Sequence, residues 1–265
     1  MRHSLITLKK GSIANDLRLA WFRAVMGAKS ESKSTRLGYL WWLIDPAMHL
    51  LVYYLAFGVL LNQGGDDYVA YLMVGIVHWL WFSKSVMNSC GSIVGGYGLI
   101  LQLPLNICIF PLAEILQDAM KQVMVGLVLI LTLWAFGHSP GVLLIVYPVI
   151  FFIQLLLIVS VGCFVAALTP FFPDLRVIVP TFLQLGMFVS GVFFTRDIVP
   201  EYLQWALNFN PVYVLLESAR EVLIRGSQPD WLLLGGVGAV VLLTATMALG
   251  LLSHFNQRYA ILIQE

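Results

Sequence analysis

Long apolar runs separated by short polar segments dominate the pattern along this chain of 265 residues. A helix needs about 20 apolar residues to cross the roughly 30 Å hydrocarbon core of a bilayer. The runs lack the strict alternation of a membrane β-barrel strand, so they indicate helices. We therefore predict an all-α membrane protein with six transmembrane helices, at Tyr39–Leu61, Tyr68–Val86, Ile107–Phe136, Val142–Leu168, Val177–Phe194 and Trp231–Leu252.

The segment before the first span carries a helical pattern of its own. Within residues 1–36, predicted to be a cytosolic tail, Ile13–Met26 has an imperfect apolar face formed by Ile13, Leu17, Ala20 and Ala24. Arginine and tryptophan on such a helix favour a position in the membrane interface. The alternative is an ordinary helix packed on a partner. The six-span domain then covers residues 37–265.

The segment 194–230, between the fifth and sixth spans, is too apolar for a simple loop. Tyr202–Phe209 and Val212–Ile224 are separated by Asn210-Pro211, where a helix is expected to break. Neither stretch is long enough to span the bilayer. We predict an outer re-entrant helical hairpin, whose backbone must be satisfied by protein or by a water-filled cavity.

Composition excludes most soluble classes and leaves the position of the charges as the informative feature. The chain is 60% hydrophobic and 11% charged, against about 25% charged in soluble domains. Fifteen Lys and Arg balance 14 Asp and Glu, so a basic nucleic-acid binder is excluded. The first 36 residues hold eight Lys or Arg and no long apolar run, so we expect no cleaved signal peptide.

The distribution of Lys and Arg around the spans predicts that both termini are cytosolic. Eleven flank one side and three flank the other. The eleven are Arg2, Lys9, Lys10, Arg18, Arg23, Lys29, Lys33, Arg36, Lys84, Arg176 and Arg258, and the three are Arg196, Arg220 and Arg225.

Motifs for catalysis and metal binding are absent from the sequence. No phosphate-binding GxxxxGK[ST] loop, HExxH or GxSxG occurs, and the three cysteines form no CxxC pair. We expect no catalytic residue, no metal and no cofactor in this chain. If the protein is a pump, a separate subunit must hydrolyse ATP.

Charged residues inside the predicted spans are candidates for function because they are costly in lipid. Glu114, Asp118 and Lys121 share one face of the third span, and Lys84 at the end of the second span is within reach of them. Asp45 precedes Pro46 early in the first span, where His49 could hydrogen-bond it. A structural ion pair, a gate or coupling element, and a proton relay all fit this intramembrane charge cluster.

Four motifs, in order along nearly the whole chain, resemble one family of permeases. They are RLGYLWWLIDPAMH from Arg36 to His49, then Gly98-Leu-Ile with Leu103-Pro104, then Phe172-Pro173-Asp174-Leu175, and finally Asn210-Pro211 followed by Glu217, Arg220 and Glu221. The pattern resembles the membrane subunit of type-2 ABC exporters for polysaccharides. It is most similar to capsular polysaccharide exporters, with O-antigen and teichoic-acid exporters as close relatives.

This resemblance implies an assembly and a substrate. Two copies would enclose a channel in the bacterial inner membrane, and two ATP-binding cassette subunits, holding ATP and Mg, would drive a lipid-linked polysaccharide outward. An envelope-spanning periplasmic co-polymerase is a further expected partner, because capsule exporters of this family work with such a complex.

The resemblance also implies roles for individual residues. A short coupling helix with Tyr97, Leu99 and Gln102 would contact the ATPase. A polar or aromatic translocation path would include Tyr53, Tyr54, Trp79 and Asp45. In the outer region, Arg196, Arg220 and Arg225 would contact an anionic glycan or lipid phosphate. Alternatively, these arginines are structural and pair with acids, Arg220 with Glu217 at a spacing of three.

Three other functions remain open from the sequence. A small-molecule or drug exporter would have the same architecture. An ion-coupled carrier would need the Glu114, Asp118 and Lys121 face to titrate. A membrane scaffold would leave the intramembrane charges without a use.

Overall fold

The computed structural model describes residues 13–60, 67–102, 105–139 and 141–255, and these are helical with no strand among them. Some predictions concern residues outside this described part. They are the predictions for Leu61, the loop at 62–66, Leu103-Pro104 and the basic residues Arg2, Lys9, Lys10 and Arg258. The helices are α1 (Ile13–Ser34), α2 (Trp41–Tyr53), α3 (Tyr68–Gly95), α4 (Tyr97–Gln102), α5 (Ile109–Ala135), α6 (Tyr147–Leu168), α7 (Leu175–Val189), α8 (Glu201–Asn208), α9 (Pro211–Arg220) and α10 (Trp231–Phe255).

Five helical segments in the described part of the chain are long and apolar enough to cross a membrane. They are Gly38–Leu60, Tyr68–Gly95, Ile109–Ala135, Gly141–Leu168 and Trp231–Leu252. The first of these consists of a 3₁₀ turn, α2 and the wider π-helical turns that follow α2. They correspond to five of the six predicted spans, and the second continues nine residues past its predicted end at Val86. The chain is a multi-pass, all-helical membrane protein.

The fifth predicted span differs from the structure. Its helix, α7, ends at Val189 rather than Phe194 and has 15 residues. Gly191 has a φ of +67°, a left-handed conformation that glycine adopts without strain. The turn after α7 is buried, and its carbonyls accept bonds from tyrosines of α3: Tyr71 Oη donates to Gly191 and Phe194, and Tyr68 Oη donates to Phe193. The prediction of a continuous helix to Phe194 is wrong because these distant donors stabilise the turn.

Helix α3 forms the centre of the bundle. Most of its residues are buried, and it packs against α5, α6 and α7. Its fully buried His78 bonds to two residues of α6: Tyr147 Oη lies 3.2 Å from His78 Nε2, and the Gln154 side chain bonds both the ring and the backbone of His78. Since buried polar groups require partners, this network fixes α3 against α6.

Helix α1 packs on α5 through a stripe of small side chains. Ala20, Ala24 and Ala28 recur every four residues and are buried, which allows close approach of the two helices. Of the predicted apolar face, Ala20 and Ala24 are buried against the bundle and Leu17 is half exposed. The large apolar residues of α1 point away from the bundle: Leu17, Leu19, Trp21, Phe22 and Met26.

The two short helices predicted in the outer segment are present as α8 and α9. Asn210 caps α9, its Oδ1 accepting from the backbone N–H groups of Val212 and Tyr213, and Pro211 occupies the first helical position. Wider π-helical turns continue α9 from Glu221 to Arg225. Buried residues of α9 pack against α3, α6 and α10.

Candidate functional site

A cavity of about 440 Å³ opens where α1, α2, α3 and α5 meet. Its wall combines tryptophans, charged side chains and amides, and we call it the Lys121 cavity. The wall includes Glu31, Trp41, Trp42, Asp45, Trp81, Lys84, Asn88, Asp118, Lys121 and Gln122. Asp45 and Lys84 form an ion pair that joins α2 to α3.

The second ion-pair group of this cavity joins three helices. Lys121 Nζ lies 3.1 Å from Asp118 Oδ1 and 2.6 Å from Glu31 Oε2 of α1. Asn88 Nδ2 of α3 donates to the other oxygen of Asp118 at 2.8 Å. The structure thus brings Lys84, Asp118 and Lys121 of the predicted charge cluster to one cavity. Glu114, one turn earlier on α5, is not part of its wall.

Sequence reasoning missed several polar residues of the cavity. Asn88 follows Lys84 by four residues and Gln122 follows Asp118 by four, so helical spacing could have placed them on the same faces. No sequence signal links Glu31 to this site, because α1 reaches α5 only through tertiary packing. His49 bonds the backbone carbonyl of Asp45 at 2.9 Å, and its Nδ1 lies 3.9 Å from the carboxylate.

The proposed path residues do not share one site. Asp45 belongs to the Lys121 cavity. Trp79 is 4% exposed and faces α7, where a Cβ added to Gly186 would lie 3.0 Å from its ring. Tyr53 lies near the turn after α7, with its ring centroid 4.7 Å from that of Phe193. Tyr54 is on the wider turns that follow α2 and is partly exposed.

An aromatic cluster that the sequence analysis missed surrounds Tyr53. Phe57 stacks on Phe193 with 4.7 Å between ring centroids, and Phe188 lies 5.2 Å from the same ring. These residues come from the first predicted span and from the end of the fifth. The sequence did not predict this contact, because the contact depends on the turn of the chain at Gly191.

Arg220 is completely buried and acts as a structural link. Its guanidinium donates to the carbonyls of Tyr71, Gly191 and Val192 at 2.8 to 3.4 Å, and its Cζ lies 3.4 Å from the centre of the Tyr71 ring. It also lies 3.5 Å from Glu217, the pairing expected in the structural alternative. A group so enclosed cannot reach a passing substrate.

A second polar cavity, of about 710 Å³, lies beside α9 and the start of α10. We call it the Glu217 cavity. Arg225 pairs there with Glu217 and Glu221, and Glu221 accepts from Ser227. Partial burial lowers the pKa of Arg225, but the bonds to both carboxylates outweigh that effect and raise the pKa above its ordinary value. Arg196, also in the wall, donates to Gln204 at 3.2 Å.

Arg220 and the Lys121 cavity contact α3 at separate places. Tyr71 contacts Arg220 near the start of α3, and Lys84 contacts Asp45 thirteen residues later, which is about 20 Å along the helix at 1.5 Å per residue.

The predicted coupling residues form a helix of their own. Helix α4 spans Tyr97–Gln102, with Leu99 and Gln102 exposed and Tyr97 half-buried. At the junction of α3 and α4, a Cβ added to Gly96 would lie 2.1 Å from the Phe110 ring. The absence of a side chain at Gly96 therefore lets α4 start against α5.

The five long apolar helices define this protein as a multi-pass membrane protein. The ABC-2 type transporter family matches residues 27–224, about three quarters of the chain, and the protein belongs to that family. The resemblance stated from the motifs is thereby confirmed.

Individual relatives match at low identity over most of their length. The O-antigen export system permease protein RfbA of Klebsiella pneumoniae is 24% identical over 75% of this chain and 77% of its own. RfbA of Myxococcus xanthus is 27% identical over 76% and 78%. The polysialic acid transport protein KpsM of Escherichia coli is 26% identical over 82% and 85%.

Proposed function

We propose that this chain is the permease of an ATP-driven exporter that moves a lipid-linked polysaccharide out of the cytosol. The observation that carries the proposal is the family match over residues 27–224, together with relatives whose names specify O-antigen export and polysialic acid transport. Identity to the two kinds of relative is nearly equal, so the proposal names a polysaccharide and gives capsule no preference over O-antigen.

In this proposal the protein crosses the bacterial inner membrane six times with both termini in the cytosol. Helix α7 would be the additional span. Its 15 residues measure about 22 Å, less than the roughly 30 Å hydrocarbon core. The turn at Ser190–Phe194 could extend it into the outer leaflet, because bonds from Tyr68, Tyr71 and Arg220 satisfy its carbonyls. Helices α8 and α9 would form the re-entrant hairpin beyond it.

A second copy of the chain would complete the channel. None of the residues of α2, all of which the structure describes, is buried, and in α7 only Met187 is. The two helices meet at Tyr53 and Met187, where Tyr53 Oη lies 3.7 Å from the sulfur. Both helices expose large apolar side chains, among them Val52 of α2 and Phe182 of α7, that a second copy would cover.

Two ATP-binding cassette subunits would supply the energy. Helix α4 exposes Leu99 and Gln102 next to the end of α3, and α1 links to α5 by packing and by the pair of Glu31 with Lys121. A push on either helix would reach the walls of the Lys121 cavity. ATP and Mg would be held in the partner subunits, and a periplasmic co-polymerase stays a prediction.

Co-purification tests this proposal. The chain, expressed with the ATPase candidates of its source and purified in mild detergent, is expected to retain an ATPase whose turnover rises with lipid-linked glycan. Purification as a stable single chain without an ATPase would contradict it. Stimulation by hydrophobic drugs but not by glycan would favour the drug exporter instead.

A further inference from the structure

A smaller cavity adjoins the Lys121 cavity in the groove between α2, α3 and α5. It has a volume of about 220 Å³, and we call it the apolar cavity. Apart from Thr132 its wall is apolar, and it consists of Leu43, Pro46, Ala47, Leu50, Met73, Ile76, Val77, Val125, Val128, Leu129 and Thr132. Pro46, Val77 and Val125, one from each helix, belong to the walls of both cavities. The two cavities therefore meet at one level of the groove.

The lining of the groove changes from charged to apolar in the same direction along all three helices. On α5 the charged wall residue Lys121 precedes Val125, and apolar wall residues continue from there to Thr132. Helix α2 has the same order, from Asp45 to Leu50, and α3 has the reverse order. The eleven residues from Lys121 to Thr132 cover about 16 Å along α5. This length is about half of the roughly 30 Å hydrocarbon core and therefore matches one leaflet.

The charged end of the groove has the composition of a membrane interface. Trp41 and Trp42 stand there in the first turn of α2, and tryptophans concentrate at the level of lipid headgroups. At the apolar end, Ala47 and Val128 are exposed, so the groove is open along its side. Such a groove fits a molecule with a polar head and an apolar chain that lies parallel to the helices.

The charges at the polar end favour one class of headgroup. Glu31, Asp45 and Asp118 supply three carboxylates. Lys84 and Lys121 supply two ammonium groups, so the wall carries one excess negative charge. The side chains of Glu31, Asp45 and Lys84 are 45%, 37% and 42% exposed, so each keeps surface that a ligand can contact. An anionic headgroup adds to the excess charge, whereas a zwitterionic one offers an ammonium to the carboxylates and a phosphate to a lysine.

We propose that this groove binds a membrane phospholipid with a zwitterionic ethanolamine headgroup. The ammonium of the headgroup meets the carboxylates of Asp45 and Glu31, and its phosphate meets Lys84. One acyl chain follows the apolar cavity. The inference concerns a lipid of the surrounding membrane, so it does not depend on which substrate the protein exports.

A lipid in the groove would complete the packing of α2 on the bundle. The α2 residues in the wall of the apolar cavity, from Leu43 to Leu50, recur at helical spacing and share one face. Val52 lies on the opposite side of the helix by the same spacing. The lipid therefore covers the inner face of α2 and leaves its outer face free for a second copy.

Lipid retention tests the site. The purified protein, together with any ATPase that accompanies it, is placed in nanodiscs with equal amounts of phosphatidylethanolamine and phosphatidylglycerol. It is then transferred to detergent and washed, and its retained lipids are identified by native mass spectrometry. We expect phosphatidylethanolamine to exceed phosphatidylglycerol at least about threefold, the worth of one partly exposed ion pair.

Three results would overturn the proposal at this stage. Equal retention of the two lipids would mean that the detergent-washed protein carries only unspecific surface lipid. Preferential retention of phosphatidylglycerol would contradict the charge argument. Displacement of phosphatidylethanolamine by an equal amount of a polyprenyl phosphate would assign the groove to a lipid carrier instead.

Tryptophan substitutions connect retention to the apolar cavity. Val128→Trp on α5 and Leu50→Trp on α2 each place a large ring in the groove, from two different walls. We expect each variant to lose most of the retained phosphatidylethanolamine. The matched controls are Val123→Trp and Leu51→Trp, at exposed residues of the same helices outside the wall, and they should retain lipid like the wild type. Unchanged retention in either groove variant that keeps the wild-type Tm would overturn the proposal.

Neutralising two acids tests the headgroup. Glu31→Gln combined with Asp45→Asn leaves one excess positive charge in the wall, so we expect the preference to change to phosphatidylglycerol. Asp197→Asn combined with Glu201→Gln removes the same charge from exposed acids of the outer segment and should leave the preference unchanged. Continued preference for phosphatidylethanolamine in the first double variant would overturn the headgroup assignment.

Discussion

At the scale of single residues, Arg220 shows how a charged side chain in the outer region serves the fold. Arg220→Met keeps an apolar stem but removes every donor to the carbonyls of Tyr71, Gly191 and Val192. We expect the free energy of unfolding to fall by about 2 kcal/mol, measured as a lower Tm in nanodiscs. Export per folded molecule should be unchanged.

The matched control for this prediction is Arg196→Met, because Arg196 is exposed and donates to the side chain of Gln204. Its effect on stability should stay within about 0.5 kcal/mol. Equal Tm values for the Arg220 variant and the wild type, with reduced export, would contradict the structural role and restore the contact with a glycan.

Asp45 differs from Arg220 because its ion pair lines the Lys121 cavity and is only partly enclosed. The side chains of Asp45 and Lys84 are 37% and 42% exposed, and such pairs contribute about 0–1 kcal/mol. Asp45→Ala should therefore lower export much more than protein level, measured as surface glycan per unit of folded permease. Equal losses of export and protein level would show that the role is structural.

A charge swap provides the control. The double variant Asp45→Lys with Lys84→Asp keeps a pair at this position but reverses its direction. Recovery of export in the swap would assign the effect of Asp45→Ala to pairing between α2 and α3. Continued loss would assign it to the carboxylate itself.

At the scale of helices, the junction of α3 and α4 depends on the missing side chain at Gly96. Gly96→Ala places a Cβ 2.1 Å from the ring of Phe110, which is buried, so the ring or the backbone must shift. We expect α4 to shift and ATPase activity of the complex to fall severalfold. Gly98→Ala, where no atom lies within 4 Å of the added Cβ, should retain activity.

Relief of the clash completes this test. Phe110→Leu shortens the side chain opposite Gly96, so combining it with Gly96→Ala should recover part of the ATPase activity. A wild-type level in Gly96→Ala alone would mean that the position of α4 does not control coupling.

The helices also show what local sequence could and could not predict. Hydropathy located five membrane-spanning segments, and most of their predicted ends lie within a few residues of the observed ends. The break at Asn210-Pro211 correctly separated α8 from α9, because the effects of both residues on a helix are local. The end of α7 depends on Tyr71 and Arg220, which are distant in sequence from Gly191. The spacing of Asp118 and Lys121 predicted their pair, but the partner Glu31 comes from another helix.

At the scale of the whole molecule, the uncovered surface of α2 and α7 predicts where two copies meet. Helix α2 has no buried residue, whereas α3, α5, α6 and α9 all bury many. A transmembrane helix without contacts on most of its surface must face lipid or another protein. The aromatic cluster of Phe57, Phe188 and Phe193 joins the turns that follow α2 to the end of α7.

Disulfide cross-linking in native membranes measures this interface. Val52→Cys, on the exposed side of α2, should give a covalent dimer after mild oxidation, because equivalent residues near a two-fold axis lie close together. Leu242→Cys, equally apolar and exposed on α10, should stay monomeric if that helix faces lipid. The wild-type chain controls for the three native cysteines. Cross-linking through Leu242→Cys but not through Val52→Cys would place the second copy on α10, and a channel between the α2 and α7 faces would then be impossible.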